Sequence, residues 1–448
     1  MDDTIAAIST AQGIGAISII RVSGPKAFEI VSKIFSNKKF LEAPSHTIHY
    51  GYIVDSGKKI DEVLVSKMNG PKTFTCEDVA EINAHGGITT TNEILELVLV
   101  NGARLAEPGE FTKRAFLNGR IDLTEAEGIM DLINSKTDKA REMALNQVSG
   151  EVSNLIRDLR NDLAGIISNI EVNIDYPEYE DTPVMTNNKV KNSLNSLEKK
   201  INNILEKSNE GEIIKNGIKT VIAGKPNVGK SSLLNRLLGE DRAIVTDVQG
   251  TTRDSIEASL VIDNIVLNLI DTAGIRDTSD TVESIGVSKS LSLIDQADLV
   301  LVVLNYNEEM TADERMILEK IRDKNHIIIV NKTDLEKKLD TSELDNPIYI
   351  SIKDDKNIDE IKDRIKKLFN LEKIETGDLT YLTSARSKAI LRQVLDSVSD
   401  VREGIDNYPI DIVEIDLKKI WDLLGDIIGE NYSEELLDEL FSRFCVGK

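Results

Sequence analysis

Gly224-Lys-Pro-Asn-Val-Gly-Lys-Ser231 has the composition and spacing of a loop that holds a polyphosphate. Its glycines free the backbone to turn successive N–H groups onto an anion, and the helix expected from Ser232-Leu-Leu-Asn adds the positive end of its dipole. Asn227, Val228, Gly229, Lys230, Ser231 and Ser232 are the expected contacts: the Lys230 ammonium for the β- and γ-phosphates, the Ser231 hydroxyl for Mg2+. Three further segments follow in the order such a site needs. Thr251-Thr252 places Thr252 as a second Mg2+ ligand. Asp271-Thr-Ala-Gly274 closes an apolar run ending at Ile270. Its aspartate is expected to hold Mg2+, directly or through water, and its Gly274 N–H to meet the γ-phosphate. Asn331-Lys-Thr-Asp334 follows the run Ile327–Val330. The Asp334 carboxylate accepts from both N1–H and N2–H2 of guanine, whereas adenine leaves it unpaired, and mismatching a buried polar group discriminates strongly. Ser351-Ile-Lys353 matches the last base-contacting loop, with Ile352 where alanine is more usual; that contact runs through backbone. Together these segments describe Mg2+-dependent binding and hydrolysis of GTP.

The residue after Gly274 is Ile275. Ras-like G-proteins carry there the glutamine that orients the attacking water, and an isoleucine can neither donate nor accept. Two features bear on what replaces it. The Asn227 amide oxygen can help hold a monovalent cation against the phosphates, with carbonyls of the Thr251-Thr252 loop completing the shell. Such a cation puts charge where an arginine finger acts, worth roughly 10³–10⁵ in rate. Downstream, Arg276, Asp277, Asp280 and Glu283 each offer a group to position water, and spacing does not choose among them.

The elements that position these residues follow from hydrophobic periodicity. At roughly 100–200 residues per domain, 448 residues suggest two to four domains. Residues 1–118 mix strand-like runs (Ala16–Val22, Glu62–Ser66, Val79–Asn83) with helices over Ala27–Phe35 and Thr91–Val100, an α+β domain. From 119 the pattern turns helical. Ala140, Ala144, Val148, Val152, Ile156, Leu159, Leu163, Ile166 and Ile170 form one stripe, expected to lie on a single long helix. A second stripe runs from Val190 to Leu205 and a third from Leu391 to Ile405. An amphipathic helix must bury its stripe, so the late helices are expected to pack on the early ones. The helical domain is then discontinuous, 119–214 and 378–448, with 215–377 inserted. The insert alternates strands (Lys219–Ala223, Ala258–Ile262, Val266–Ile270, Leu299–Leu304, His326–Val330, Ile348–Ile350) with helices, the pattern of a doubly wound parallel sheet. Asp263-Asn264 reads as a hairpin turn.

The net charge of −23, from 54 basic and 77 acidic residues, argues against a broad phosphate-binding surface of the chain's own. Only Cys76 and Cys445 are present, which excludes a disulfide framework, and no apolar run approaches the ~18 residues of a membrane helix. The start at Met1-Asp-Asp-Thr lacks the basic region of a signal peptide, and Cys445-Val-Gly-Lys448 fails as a prenylation box because Gly447 is not aliphatic. A cytoplasmic protein is expected.

"GKPNVGKSSLLNRL", "AIVTDVQGTTRD", "IDTAGIRDTSDTVESIGV" and the terminal "FCVGK" resemble the MnmE (TrmE) family of tRNA modification GTPases. "DTIAAISTAQGIGAISIIRVSG", "FTCEDVAEINAHGG" and "EPGEFTKRAFLNGRIDLTEAEGIMDLI" resemble its N-terminal region, so the likeness covers essentially the whole chain. The resemblance implies K+-dependent pairing of two G domains, with the K+ shell on the Asn227 side chain and the carbonyls of Thr246, Val248 and Thr251, and Thr246 and Thr251 also counted among the GTP contacts. It places the water-orienting glutamate on Glu283 and a switch arginine on Arg276. It also implies an N-terminal domain that dimerises and binds a one-carbon tetrahydrofolate (5-formyl or 5,10-methylene) through Arg21, Glu81, Arg120 and Lys448. These residue types suit a folate, because Glu81 accepts from the pterin amino face and arginines pair with carboxylates. Cys76 stands where relatives usually carry glycine, and Arg120 where many carry lysine. His85 is read as structural. The implied reaction is GTP-driven C5 (carboxymethyl)aminomethyl modification of the wobble uridine of certain tRNAs. A homodimer carries it out with the FAD-bearing flavoprotein MnmG (GidA), which grips most of the tRNA. A ribosome-assembly GTPase or a scaffold without chemistry of its own are the rival readings; the first usually carries a basic RNA-binding module, which this sequence lacks.

Overall fold

The computed structural model describes residues 3–175, 187–240, 243–244, 256–262, 264–270, 293–371 and 379–448. Two compact units are present: 1–130 with 147–198 and 389–448, and 131–146 with 199–388.

In the first unit, alternating burial along β2 (Ile17–Ser23) and its antiparallel neighbour β5 (Val79–His85) turns Ile20, Val22, Ala80 and Ile82 inward. The full sheet runs β3 (Thr47–Asp55), β4 (Lys58–Met68), β5, β2, β1 (Ile5–Ile8), β6 (Arg104–Leu105). Helices α1 (Ala27–Ile34) and α2 (Ile88–Val100) supply the other half of this core through Ile30, Val31, Ile94 and Val98. Pairing register puts Ile48, Ser66, Glu81 and Arg21 in one row across the opposite face, and Tyr50, Leu64 and Asn83 in the next. That face leaves Ile17, Ile48, Tyr50 and Leu64 exposed.

Beyond α3 (Glu110–Leu117) and α4 (Leu123–Asn134), the stripe from Ala140 to Ile170 is carried by two helices, not one. These are α5 (Asp138–Val148) and α6 (Glu151–Asp175). The break is Gly150, whose φ of +85° no helix accommodates and whose Cβ, if present, would lie 2.9 Å from Glu125 Oε1. Periodicity runs through this residue because the apolar spacing is kept on both sides; the backbone, not the pattern, turns. Gly150→Val is expected to lower stability by about 1–2 kcal/mol through the left-handed conformation alone; urea denaturation of wild type and variant measures it.

Along α6, Val152, Ile156, Leu159, Leu163 and Ile170 are buried against α12 (Ile410–Ile428), which offers Val413, Leu417, Ile420 and Leu424. The Arg160 guanidinium lies 3.8 Å above the Trp421 ring, donates to the Trp421 carbonyl and pairs with Glu430. α7 (Asn187–Asn216) and α11 (Ala385–Gly404) are joined by polar contacts near Asn187 and Glu198. Asn187 Nδ2 donates to the Ile405 carbonyl at 2.8 Å, and Arg402 pairs with Glu198. The late helix α12 therefore buries its apolar face on the early α6, as the expectation that late helices pack on early ones requires. α13 (Glu434–Ser442) packs Leu437 and Phe441 with Phe116 and Leu123.

The second unit holds a sheet of order β13 (Ile348–Tyr349), β12 (His326–Asn331), β11 (Leu299–Asn305), β7 (Ile218–Ala223), β10 (Ile265–Ile270), β9 (Ile256–Ile262), β8 (Ala243–Ile244). The first five are parallel, and β9 alone runs against the rest, pairing antiparallel with both β10 and β8. All seven residues of β11 are buried, as a strand covered on both faces requires. One face packs Leu233 and Leu237 of α8 (Lys230–Glu240) with Ile361 and Ile365 of α10 (Asp359–Leu368). The other packs Ile317 of α9 (Ala312–Lys320). Ile262 pairs with Ile265 across the hairpin; Asp263 of its turn lies outside the described residues.

Candidate functional site

The phosphate-type loop joins β7 to α8, at the C-terminal edge of the parallel strands where open α/β sheets place ligands. It wraps tightly. A Cβ at Gly224 would sit 2.3 Å from the Val303 carbonyl oxygen, and one at Gly229 2.3 Å from Asn331 Nδ2. Gly224 (φ +146°), Asn227 (φ +57°) and Gly229 (φ +104°) supply the left-handed backbone that lets N–H groups converge. Lys230 Nζ donates across the loop to the carbonyls of Gly224 (2.7 Å) and Lys225 (2.8 Å). Val228 is fully buried in the core, so its part in the site is its backbone. Ser231 and Ser232 lie in the first turn of α8 and Asn227 is exposed at the crest of the loop.

The two base-side loops converge on the same edge. Asn331 ends β12 almost fully buried; its Nδ2 donates to the Val228 carbonyl at 2.8 Å and its Oδ1 accepts from Ile352 N–H at 3.4 Å. It braces the phosphate loop to both base loops, a role the motif alone does not display. Lys332 (φ +67°) donates from Nζ to the Asn227 carbonyl at 2.7 Å. Ser351, 1% exposed, donates to Asp334 Oδ1 at 3.0 Å, and Lys353 Nζ stands 4.0 Å from Asp334 Oδ2. The carboxylate is thus fixed in orientation with capacity left for a donor pair. Ile352 packs against the core, consistent with a backbone contact. These loops fit a guanine nucleotide: a cradle too tight for side chains, a placed ammonium and an oriented acid. Thr246, Val248, Thr251, Thr252, Asp271, Gly274, Arg276 and Glu283 lie outside the described residues.

A second cluster lies on the open face of the six-stranded sheet. Arg21 and Glu81 are register partners, and Arg21 Nε donates to Glu81 Oε1 at 2.8 Å. Arg120 reaches the same place from the turn after α3, donating to the Thr73 carbonyl at 3.1 Å. Both guanidinium groups lie on the Phe74 ring, 5.8 Å (Arg21) and 5.1 Å (Arg120) from its centroid, and Arg21 also faces Phe111 at 5.6 Å. Sequence reading names the three charged residues and misses Phe74, although an aromatic inside the polar loop Thr73–Asp78 is an available signal. That loop is anchored from below. Ser23 Oγ donates to Glu77 Oε2 at 2.7 Å, and the fully buried Arg114 donates to Glu77, Asp3 and Glu110. Burial works against the Glu110 carboxylate, yet Arg104, the Glu107 N–H and Arg114 hold its pKa below the ordinary value. Cys76 has φ +61°, the conformation a glycine would adopt without cost.

The C-terminal tail docks on β1. Ser9 Oγ donates to the Gly447 carbonyl at 2.9 Å, and a Cβ at Gly447 (φ +90°) would sit 2.2 Å from the Ile8 carbonyl oxygen. Lys448 follows directly, beside the strand that pairs with β2. His85 is exposed and shares a hydrogen bond of 2.7 Å with Asp61, which raises its pKa. Among the described residues no cluster of three or more His, Cys, Asp or Glu is placed to hold a metal, and no helix is long and apolar enough to cross a membrane.

The doubly wound sheet with a P-loop between β7 and α8, joined to an Asn-Lys-x-Asp loop at the end of β12, defines the class: a P-loop guanine-nucleotide-binding protein with an inserted G domain. Residues 123–445 match the MnmE helical domain and residues 4–120 the N-terminus of the GTP-binding protein TrmE, so the chain belongs to the MnmE (TrmE) family. It is 51% identical over 458 residues to the tRNA modification GTPase MnmE of Bacillus pumilus, with all of each chain covered. It is 50% identical over 458 residues to that of Bacillus subtilis, again with both chains covered in full. The MnmE of Listeria welshimeri is 50% identical over 454 residues, covering 100% of this chain and 99% of that one.

Proposed function

We propose that the chain is a GTPase acting in tRNA modification, and that it hydrolyses GTP to drive C5 (carboxymethyl)aminomethylation of the wobble uridine. The observation that carries this reading is end-to-end identity of about half to proteins named tRNA modification GTPases, on a chain whose phosphate and base loops are braced together by Asn331.

Within it, Lys230 would bind the β/γ-phosphates, Ser231, Thr252 and Asp271 would hold Mg2+, and Asp334 would select guanine. The Asn227 side chain with the carbonyls of Thr246, Val248 and Thr251 would hold K+, and Glu283 would orient the attacking water in place of the side chain that Ile275 lacks; Arg276 would be the switch arginine. When bound, the two cations supply the charge that offsets the departing phosphoryl group. The support for a cation here is Asn227: exposed at the crest of the loop, in a left-handed conformation, with its carbonyl held by Lys332.

Arg21, Glu81, Arg120 and Lys448 would bind a tetrahydrofolate one-carbon donor. Support comes from the shared Phe74 platform and from the tail docked beside β1. The exposed apolar residues Ile17, Ile48, Tyr50 and Leu64 on that same sheet face support a homodimer. The flavoprotein MnmG would carry the redox step with its FAD and grip most of the tRNA, in keeping with the net charge of −23. The proposed division is 1–118 for folate binding and dimerisation, 119–214 and 378–448 for the helical domain, and 215–377 for the G domain, in a cytoplasmic protein.

The experiment is mass spectrometry of wobble nucleosides from cells lacking this chain; unchanged nucleosides would reject the reading. For the folate site, Glu81→Gln in the full-length protein is expected to weaken 5-formyltetrahydrofolate binding by about 10²-fold, since it removes a charged acceptor from paired donors. Calorimetry showing wild-type affinity would remove Glu81 from the site.

A further inference from the structure

The motif G-x-x-x-x-G-K-S leaves its second position open, and here it is a lysine that solvent does not claim. The Lys225 side chain is 16% exposed, and its Nζ lies 2.8 Å from Glu308 Oε2, 3.6 Å from Glu314 Oε2 and 3.5 Å from the Glu309 carbonyl. Both acids are themselves fixed. Glu314, 2% exposed, accepts from Thr311 N–H at 2.8 Å and Thr311 Oγ at 3.0 Å, in the capping box that starts α9. Glu308 Oε1 accepts from Nδ2 of Asn305, a buried residue at the end of β11, and the hydrogen bond from Lys225 lowers the Glu308 pKa. A flexible ammonium thus ties the phosphate loop to the rigid end of the neighbouring strand and helix.

What that tie does follows from the other anchors. Lys332 holds the Asn227 carbonyl and Asn331 the Val228 carbonyl, both at the middle of the loop. The carbonyls of the first half, Gly224 and Lys225, are held by Lys230, and Lys230 is the residue a bound polyphosphate recruits. We propose that Lys225 is a positioning residue for the phosphate loop: its latch onto Glu308 and Glu314 keeps the first half of the N–H cradle in shape when Lys230 turns to the phosphates. The inference rests on reading Gly224–Ser231 as the phosphate site for GTP.

The cradle surrounds the β-phosphate, which GMP lacks, so the test compares GDP and GMP on the full-length protein by calorimetry. Lys225→Met is expected to weaken GDP by about tenfold and GMP by less than about twofold. Lys225→Arg, which keeps the charge and reaches both acids, restores GDP affinity to within about threefold. Glu308→Gln, which leaves the loop sequence intact and Glu314 in place, weakens GDP by about threefold with GMP unaffected. A Lys225→Met protein that loses GDP and GMP affinity equally, or neither, overturns the latch, as does a Glu308→Gln protein with wild-type GDP affinity; Glu308→Gln also serves if the lysine variant does not fold. A wild-type chain that binds neither nucleotide overturns the site reading itself, and the latch falls with it.

Discussion

Exchanging K+ for Na+ in the assay is expected to slow GTP turnover at least about tenfold, and by up to roughly 10³-fold, with nucleotide affinity little changed. Ile275, next to Gly274 in the chain, brings no side chain able to polarise water or offset charge. Charge supplied opposite the leaving phosphoryl group is worth roughly 10³–10⁵ when an arginine provides it. A cation held by a carbonyl-rich shell supplies the same sign at the same place, and Na+, smaller and more tightly hydrated, fits that shell poorly. Asn227 is the one proposed ligand of that shell that lies among the described residues, and its φ of +57° suits its residue type at that turn, since asparagine tolerates the left-handed region better than most. Asn227→Ala should then abolish the difference between the two salts. Equal rates in KCl and NaCl for the wild-type protein would reject the cation, while a salt difference that survives Asn227→Ala would move its site elsewhere.

Asp334→Asn is expected to cost about a thousandfold in GTP affinity and to transfer preference to xanthosine nucleotides. Asp334 is held by Ser351 Oγ at 3.0 Å and is 14% exposed, so its remaining lone pairs face one direction. An amide there sets a donor against a donor of guanine, and an unmatched polar contact in a site built for hydrogen bonds is rejected by orders of magnitude. Xanthine carries a carbonyl where guanine carries its amino group, and the amide matches it. Because Ser351 can donate to the asparagine oxygen as it does to the carboxylate, the loop keeps its shape. Titration with GDP and XDP checks both halves; an unchanged GDP affinity would show that Asp334 does not touch the base.

Much of the molecule is legible from residues alone, for local reasons. The phosphate loop, the Asn331–Asp334 loop and the strands of the inserted sheet are contiguous segments, and a strand buried on both faces announces itself as an apolar run such as Leu299–Asn305. The return of the chain's end to the early helices is inferable because an amphipathic stripe needs a partner, and α12 on α6 supplies it. The stripe from Ala140 to Ile170 misleads because apolar spacing survives a turn at Gly150 that only backbone dihedrals reveal.

Residue types and spacing alone point to the chemistry proposed for the chain: a loop for a polyphosphate, an acid for guanine, and charged residues that would suit a folate. How these groups are held emerges only from packing. It sets Asn331 between two loops more than 100 residues apart in the chain, lays Arg21 and Arg120 on one aromatic ring, and ties Lys225 to the capping acid of a helix. The physical reason is that a motif is fixed by neighbours along the chain. A brace depends instead on strand register, left-handed turns and burial, which are settled only once distant segments have packed.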